Sequence, residues 1–161
     1  MVAGHARNAT GKELKDLPLV ELTARELPQD ELIELYRASD AFVLPTRGEG
    51  WGLPIVEAIA LGLPTIATNF SGPAAYLTAQ GSFPLQVDGV DDEGFAIPSL
   101  AHLKQLLRFV FEGEAPRDGG RGEAAATARA GRAEIHERYN PTRVAGMVNS
   151  QLWAAAMQGS M

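Results

Sequence analysis

The chain has 161 residues, and its content of 45% hydrophobic and 21% charged residues is that of a folded globular protein rather than a disordered or fibrous one. A net charge of −6 argues against a nucleic-acid partner, because phosphate contacts need clustered lysines and arginines. The absence of cysteine excludes disulfides and thiolate metal sites, and no apolar run reaches the roughly 18 residues of a membrane span. With no signal-peptide pattern at its start, we expect a cytoplasmic protein.

Strand and helix patterns alternate from the amino-terminal end. After a loose leader expected over 1–17, the order is a strand at 19–22, a helix at 29–39, a strand at 41–45, a helix at 53–61, a strand at 65–69, a short helix at 71–79 and a strand at 83–87. Gly62 is placed to end the second helix, in which Leu53, Val56 and Ala60 are expected on one face. Short connections in this alternation predict the α/β class, with a parallel sheet flanked by helices.

The chain after residue 98 is predicted to be helical. Ser99 is a candidate N-cap of a helix with four core-facing residues, Leu103, Leu106, Leu107 and Val110. An exposed Ala- and Arg-rich helix and a last helix capped by Asn140 are expected beyond it. The predicted organisation is an α/β domain at 18–111, a linker at 112–122 and C-terminal helices at 123–158 that pack on the same domain.

The loop RGEGWG at 47–52 joins a predicted strand to a predicted helix, which is where open α/β sheets bind ligands. Gly50 and Gly52 allow the backbone to approach a ligand closely, and the first helical N–H groups, from Leu53 to Val56, are expected to lack partners within the helix. Free amides at the positive end of a helix favour an anion such as a phosphate. The glycines do not have the G-x-G-x-x-G spacing, so no nicotinamide cofactor is predicted, and three separated histidines predict no metal site.

Two glutamates, Glu49 and Glu57, are expected to border the same crevice. Side chains lean toward a helix N-terminus, so the Glu57 carboxylate is predicted to point toward the crevice that Glu49 faces. Carboxylates accept hydrogen bonds from sugar hydroxyls while amides bind phosphate, and a sugar nucleotide needs both. Spacing alone favours another interpretation, in which one glutamate is a solvated loop residue and the other lies on the exposed side of an amphipathic helix.

The sequence resembles the retaining glycosyltransferases of family 4, with the GT-B fold and the glycosyl transferases group 1 domain, at SDAFVLPTRGEGWGLPIVEAIALGLPTIATNFSG, residues 39–72. The pattern EGxGLPxxEAxAxGxP after a strand contains the E-x7-E motif of their donor-binding domain. The resemblance implies that Glu49 acts where the glycosidic bond of the donor breaks and that Glu57 binds the ribose hydroxyls. It also implies that sugar and phosphate are held by the amides of Gly50, Trp51, Gly52 and Leu53. Arg47 is a candidate positive charge near the diphosphate, and it is equally a candidate for an ordinary surface arginine.

The implied function is transfer of a hexosyl or related group from a nucleoside diphosphate sugar to an unidentified acceptor hydroxyl, with retained anomeric configuration and without a metal or cofactor. The resemblance assigns this chain to the C-terminal, donor-binding part of such an enzyme, and it implies that the domain at 18–111 is a partial Rossmann-like domain. A missing N-terminal domain or a partner subunit is therefore expected to complete the site, and activity of the chain alone is left open. The alternative is a non-catalytic Rossmann-like module that binds a nucleotide or a protein.

Overall fold

A parallel three-stranded sheet organises the fold. The structure, a computed structural model, describes residues 23, 25–113 and 122–158. In order across the sheet, the strands are β1 (Phe42–Leu44), β2 (Thr65–Thr68) and β3 (Phe83–Leu85). Ile66 of β2 pairs with Val43 on one side and with Phe83 on the other, so β2 is the middle strand and all four of its residues are buried. The predicted α/β class and parallel sheet are confirmed.

The helices of the described residues are α1 (Gln29–Arg37), α2 (Leu53–Ala60), α3 (Leu100–Gly113), α4 (Glu123–Arg138) and α5 (Pro141–Gln158). By internal contacts the chain divides into two units, Met1–Leu32 and Ile33–Met161. In the described part of the first unit, the N–H of Leu32 donates to the carbonyl of Pro28 at 3.0 Å in the first turn of α1. None of the described helices has the length and apolar character that crossing a bilayer requires.

Two apolar clusters cover the two faces of the sheet, because successive residues of a strand point to opposite sides. Ala67 belongs to a cluster with Ile55 and Ile59 of α2, and Ile135 of α4 packs there. The neighbouring Ile66 belongs to the second cluster, which consists of Ile66, Phe83, Leu85, Val110 and Ala124. Helix α4 therefore contributes to both clusters, and the sheet is flanked by helices as predicted.

Helix α2 ends in a Schellman motif. The N–H of Gly62 donates to the carbonyl of Ile59 at 2.9 Å, and the N–H of Leu63 donates to that of Ala58 at 3.1 Å. Gly62 has φ 83°, which confirms its predicted role as the helix stop. The expected core face of α2 is wrong in one respect, since the buried residues are Ile55, Ala58 and Ile59 while Leu53 is 64% exposed.

Helix α4 is not the exposed helix that its Ala- and Arg-rich sequence predicts. Ala124, Ala128, Gly131 and Ile135 recur at helical spacing and are buried. Three of these four residues have little or no side chain, so their stripe lacks the large apolar residues from which a buried face is usually recognised. Small residues instead let the helix backbone approach its neighbours closely. At Gly131 the backbone is so close to Gly81 that an added Cβ would lie 1.9 Å from the Gly81 carbonyl oxygen.

An antiparallel hairpin was not predicted. Strands β4 (Val87–Val90) and β5 (Ala96–Pro98) pair with each other in a separate two-stranded sheet. The Asp91 carboxylate closes the turn by accepting hydrogen bonds from the N–H groups of Glu93 and Phe95 at 3.0 and 2.9 Å. The strand pattern at 83–87 therefore continues into a second strand after a break at Gln86.

The predicted helix caps are confirmed. The Ser99 hydroxyl accepts the N–H of His102 at 3.4 Å, and the Asn140 side chain accepts the N–H of Arg143 at 2.9 Å. Leu107 is 42% exposed, so its predicted position in the core is wrong. Helix α3 extends through Gly113, past the expected linker start at residue 112.

The domain boundaries stay predictions. The leader at 1–17, the strand at 19–22 and residues 114–121 of the linker lie outside the described residues.

The close approach of Gly131 to Gly81 generates a stability prediction. Gly131→Ala places a methyl group against a carbonyl oxygen, and we expect it to cost about 2 kcal/mol, or roughly 4–8 °C in Tm for a chain of this size. The matched control is Gly146→Ala on α5, where an added Cβ meets nothing within 4 Å. That variant should gain roughly 0.5–1 kcal/mol from helix propensity. Thermal unfolding followed by circular dichroism measures both, and equal Tm values for the two variants would contradict the packing.

Candidate functional site

The loop RGEGWG lies at the carboxyl end of β1, between that strand and α2. The segment that follows the carboxyl end of the adjacent strand β2 runs through Ser71 into a short 3-10 helix, Gly72–Ala75. Carboxyl ends of neighbouring parallel strands form the edge of an open α/β sheet at which ligands bind. The loop therefore occupies the position that the sequence predicts.

Gly52 begins α2 in a conformation that favours glycine. Its φ of 77° and ψ of 56° are left-handed, and an added Cβ would lie 2.8 Å from Ile55 Cδ1 and 3.0 Å from Tyr76 Oη. The Gly52 carbonyl accepts the N–H groups of Ile55 and Val56 at 2.9 and 3.2 Å. A residue with a side chain would be strained and crowded here, so Gly52 fixes how the chain enters the helix.

The expectation of free N–H groups from Leu53 to Val56 requires correction. Ile55 and Val56 donate to Gly52, and Pro54 has no N–H. The unpartnered donors lie one turn earlier: among the described residues, none accepts a hydrogen bond from the N–H of Gly50, Trp51, Gly52 or Leu53. Four consecutive backbone donors at the start of α2 thus have no partner among the described residues.

The two loops are in direct backbone contact at Gly72. Its N–H donates to the carbonyl of Glu49 at 3.2 Å, and an added Cβ on Gly72 would lie 1.9 Å from the carbonyl oxygen of Gly50. The preceding residue, Ser71, has φ 59° without being glycine, a sparsely populated conformation. The loop after β1 is consequently held by the segment after β2 with no side chain between them.

Tyr76 is a second tie between these segments. Its hydroxyl lies 2.6 Å from the Trp51 carbonyl oxygen and 3.3 Å from that of Gly52, and only 3% of the residue is exposed. Burial, followed by the nearby charge of Glu49, raises the pKa of the Tyr76 phenol above its ordinary value. The Glu49 side chain, which is half-buried, is therefore close enough to act on Tyr76 electrostatically.

Trp51 connects the loop to the end of α4. Its ring packs on Tyr76 at a centroid distance of 5.1 Å and on Tyr139 at 5.6 Å in an edge-to-face arrangement. The neighbouring Arg138 donates to the carbonyl of Ala75 at 3.2 Å. The C-terminal end of α4 thus supports both the loop and the segment opposite it.

Glu57 has a different neighbour from Glu49. It lies on α2, and its Oε2 is 3.5 Å from the hydroxyl of Tyr36, a long contact. Burial is the main cause that raises the pKa of Tyr36, and the charge of Glu57 adds to it. The structure therefore relates the two glutamates to two different tyrosines, Glu49 to Tyr76 and Glu57 to Tyr36.

The charge of Arg47 is already paired. Its guanidinium forms an ion pair with Asp91 and lies over the ring of Phe95 at 5.5 Å from the centroid. Its carbonyl accepts the N–H of Ala96 at 2.8 Å, so the β4–β5 hairpin is attached to the loop at two points. A role for Arg47 beside a diphosphate stays a prediction.

Sequence reasoning missed three tyrosines: Tyr76 and Tyr139, which contact Trp51 of the loop, and Tyr36, which contacts Glu57. The sequence pattern places Tyr36 in the apolar stripe of the helix at 29–39, Tyr76 in the short helix at 71–79 and Tyr139 at the end of the Ala- and Arg-rich helix, and it gives none of them a role at the site. A usable signal was present, because a tyrosine inside an apolar pattern buries its ring and its hydroxyl then needs a partner. For Tyr76, however, the partners are backbone carbonyls about 25 residues away, and no pattern of side chains points to them.

Comparison with known proteins identifies the class of this domain. Sucrose-phosphate synthase from Thermosynechococcus elongatus matches 81% of this chain and 29% of its own, with a TM-score of 0.55 and 23% identity. The fold is therefore similar to that of a GT-B glycosyltransferase. The sequence profile of the family described as glycosyl transferases group 1 matches residues 22–98. Residues 22–98 therefore match this glycosyltransferase family, which confirms the resemblance seen at residues 39–72.

Similar curated proteins are glycosyltransferases by name. The D-inositol 3-phosphate glycosyltransferase of Corynebacterium jeikeium is 31% identical over 160 residues, which is 91% of this chain and 36% of the relative. The O-antigen chain mannosyltransferase B of Escherichia coli is 44% identical over 97 residues, which is 53% of this chain and 26% of the relative. This chain thus spans about a third or less of the length of these relatives.

The buried tyrosines generate a prediction for alkaline pH. An unfolded tyrosine ionises near its ordinary pKa of 10.0, whereas the folded chain holds the Tyr76 and Tyr36 protons to higher pH. The native state then binds more protons than the unfolded state, so stability is fully present below pH 10 and falls as pH rises above it. We expect the Tm of Tyr76→Phe to fall less steeply than the wild-type Tm between pH 10 and about 11.

The control is Ser82→Ala, which removes a buried hydroxyl that donates to the Thr78 carbonyl and does not titrate in this range. It should keep the wild-type slope of Tm against pH. Identical slopes for wild type and Tyr76→Phe would contradict the assignment.

Proposed function

We propose that this chain is the donor-binding part of a retaining glycosyltransferase, which transfers a sugar from a nucleoside diphosphate sugar to an acceptor hydroxyl. The observation that supports this proposal most is a run of four N–H groups, from Gly50 to Leu53, for which no described residue acts as hydrogen-bond acceptor. In a protein such a run is normally satisfied by a ligand or by water. Successive amides at the start of a helix bind anions, and a diphosphate presents several oxygens to them.

The glutamates supply the complementary part of the proposed site. Amides favour the negatively charged diphosphate, whereas a carboxylate repels it and accepts hydrogen bonds from hydroxyl groups instead. We therefore assign the ribose hydroxyls to Glu57, whose helix starts at these amides. The transferred sugar is assigned to Glu49, which lies in the loop itself. The long contact between Glu57 and Tyr36 leaves the carboxylate with unused acceptor capacity.

The proposed mechanism of sugar transfer follows from the charges that develop on the sugar and on the diphosphate during the reaction. The bond between the anomeric carbon and the diphosphate oxygen breaks, and a bond from that carbon to the acceptor oxygen forms on the same face of the sugar. Positive charge develops on the sugar ring as negative charge develops on the diphosphate. A carboxylate at Glu49 stabilises the first, and the fixed amide dipoles of Gly50, Trp51, Gly52 and Leu53 stabilise the second.

The acceptor is expected to bind elsewhere. The described loop provides groups for a diphosphate and a sugar, and the acceptor side is assigned to a further domain or a partner subunit. The relatives differ in the acceptor that their names state, so we propose the reaction class and leave sugar, base and acceptor unnamed.

The direct test is calorimetric titration of the chain with uridine, guanosine and adenosine diphosphates and their sugars. Glu57→Ala removes the acceptor proposed for the ribose hydroxyls, and a hydrogen bond to a charged group contributes about 1.5–3 kcal/mol. We therefore expect affinity to fall roughly 10- to 100-fold. Glu112→Ala, an exposed glutamate on α3, is the matched control and should bind as wild type does. If the wild type binds none of these compounds, the proposal is wrong and a non-catalytic module becomes the better description.

A second test separates a ligand contact from a folding requirement. An added Cβ at Gly50 meets nothing within 4 Å, and the same holds for Gly89 on the hairpin. Gly50→Ala and Gly89→Ala should consequently both keep a Tm close to that of wild type. If the backbone of Gly50 touches the donor, its alanine variant should lose about tenfold in diphosphate affinity, while Gly89→Ala loses none. Equal affinities for the two variants would place the diphosphate away from Gly50.

A further inference from the structure

We propose that Tyr76 is a positioning residue of the diphosphate site, because its hydroxyl holds the Trp51 carbonyl and so turns the N–H of Gly52 toward the bound anion. The inference rests on the proposed function and deepens it. Tyr76 lies beyond the loop, and no contact with the substrate is assigned to it. It is assigned a role only through the backbone of residues 51 and 52.

The geometry of the peptide bond between Trp51 and Gly52 determines the direction of the Gly52 N–H. A trans peptide is planar, so its carbonyl and its N–H point in opposite directions. The carbonyl of Trp51 and the N–H of Gly52 belong to the same peptide. Since Tyr76 Oη binds that carbonyl at 2.6 Å, the Gly52 N–H must point away from Tyr76, and no described residue accepts it.

Tyr76 is the described hydrogen-bond partner of this peptide. The following peptide, from Gly52 to Leu53, is held independently, because the Gly52 carbonyl accepts the N–H groups of Ile55 and Val56. The Tyr76 hydroxyl has a single proton, and the Trp51 carbonyl at 2.6 Å takes it in preference to the Gly52 carbonyl at 3.3 Å. Loss of the hydroxyl should therefore affect the N–H of Gly52 and spare that of Leu53.

The loop needs such a tie because glycine makes this peptide easy to rotate. Gly50 and Gly52 flank Trp51, and glycine populates both signs of φ at little cost. The Tyr76 hydroxyl cannot easily exchange its partner for water, since the residue is 3% exposed and its ring packs on Trp51. Tyr76 thus orients the amide before a ligand arrives, so the loop does not have to be ordered on binding.

The experiment uses nuclear magnetic resonance of the ¹⁵N-labelled chain, titrated with uridine, guanosine and adenosine diphosphates. In the wild type, the amide signals of Gly52 and Leu53 should shift on titration, whereas that of Gly89 should not. In Tyr76→Phe, the ring and its packing are retained, the Gly52 response should be lost, and the Leu53 response should remain. Calorimetry on the same samples should give an affinity about three- to tenfold weaker, as expected for one hydrogen bond.

Ser82→Ala is the matched control for a purely structural effect. It also removes a buried hydroxyl bonded to a backbone carbonyl, at 2.8 Å from Thr78, but away from the loop. We expect it to lower Tm while leaving affinity within twofold and the Gly52 response unchanged.

The outcomes separate the two proposals. A wild type that binds no diphosphate overturns the proposed function and, with it, this inference. A wild type that binds, together with a Tyr76→Phe variant of unchanged affinity and unchanged Gly52 response, overturns the inference alone. Equal weakening by Tyr76→Phe and Ser82→Ala also overturns it, because the effect would then follow stability. If Tyr76→Phe fails to fold, the wild-type titration still decides, since a Gly52 signal that does not respond to a bound diphosphate contradicts the assigned orientation.

Discussion

The contact between Gly72 and the loop at Glu49 and Gly50 is the constraint on which the candidate site depends. It joins the segments that follow two adjacent parallel strands, and it does so backbone to backbone. The sheet brings the two strand ends side by side, but it does not determine the path of the chain beyond them. One hydrogen bond and one absent side chain at Gly72 set that path. Ser71, which precedes Gly72, has a positive φ that is energetically unfavourable for a residue other than glycine, and the surrounding packing must offset this energy.

Three aromatic residues next to this contact stabilise the loop further. Tyr76 ties the next peptide, Trp51 packs against Tyr76, and Tyr139 packs against Trp51. Tyr139 directly follows α4, a helix whose small residues let it approach the rest of the fold closely. The C-terminal end of α4 therefore contributes to the shape of a loop that lies much earlier in the sequence.

The sequence predicts the parts of this architecture that arise from local patterns. Buried strands, the glycine stop at Gly62 and the caps at Ser99 and Asn140 follow from short-range rules, and the structure has each of them. Features without a local pattern were missed: the small-residue face of α4, which lacks the large apolar residues that mark a core, and the hairpin beyond residue 87. The sequence predicts unpartnered amides from Leu53 to Val56, whereas the structure has them from Gly50 to Leu53. The difference arises because Pro54 has no N–H and the N–H groups of Ile55 and Val56 donate to the carbonyl of Gly52. The glutamates were recognised from the family motif, whereas their tyrosine neighbours depend on the folded backbone and could not be read from spacing.

The pairing of Arg47 with Asp91 has a consequence for how an anion would reach the loop. With that guanidinium paired to Asp91, the attraction that we propose for the loop comes mainly from its peptide dipoles. The field of a dipole falls off faster with distance than that of a charge, so such a loop acts at contact and contributes little to long-range steering. On a chain whose net charge is −6, this arrangement would select an anion by the fit of its oxygens to the amides and would reject anions that merely carry charge.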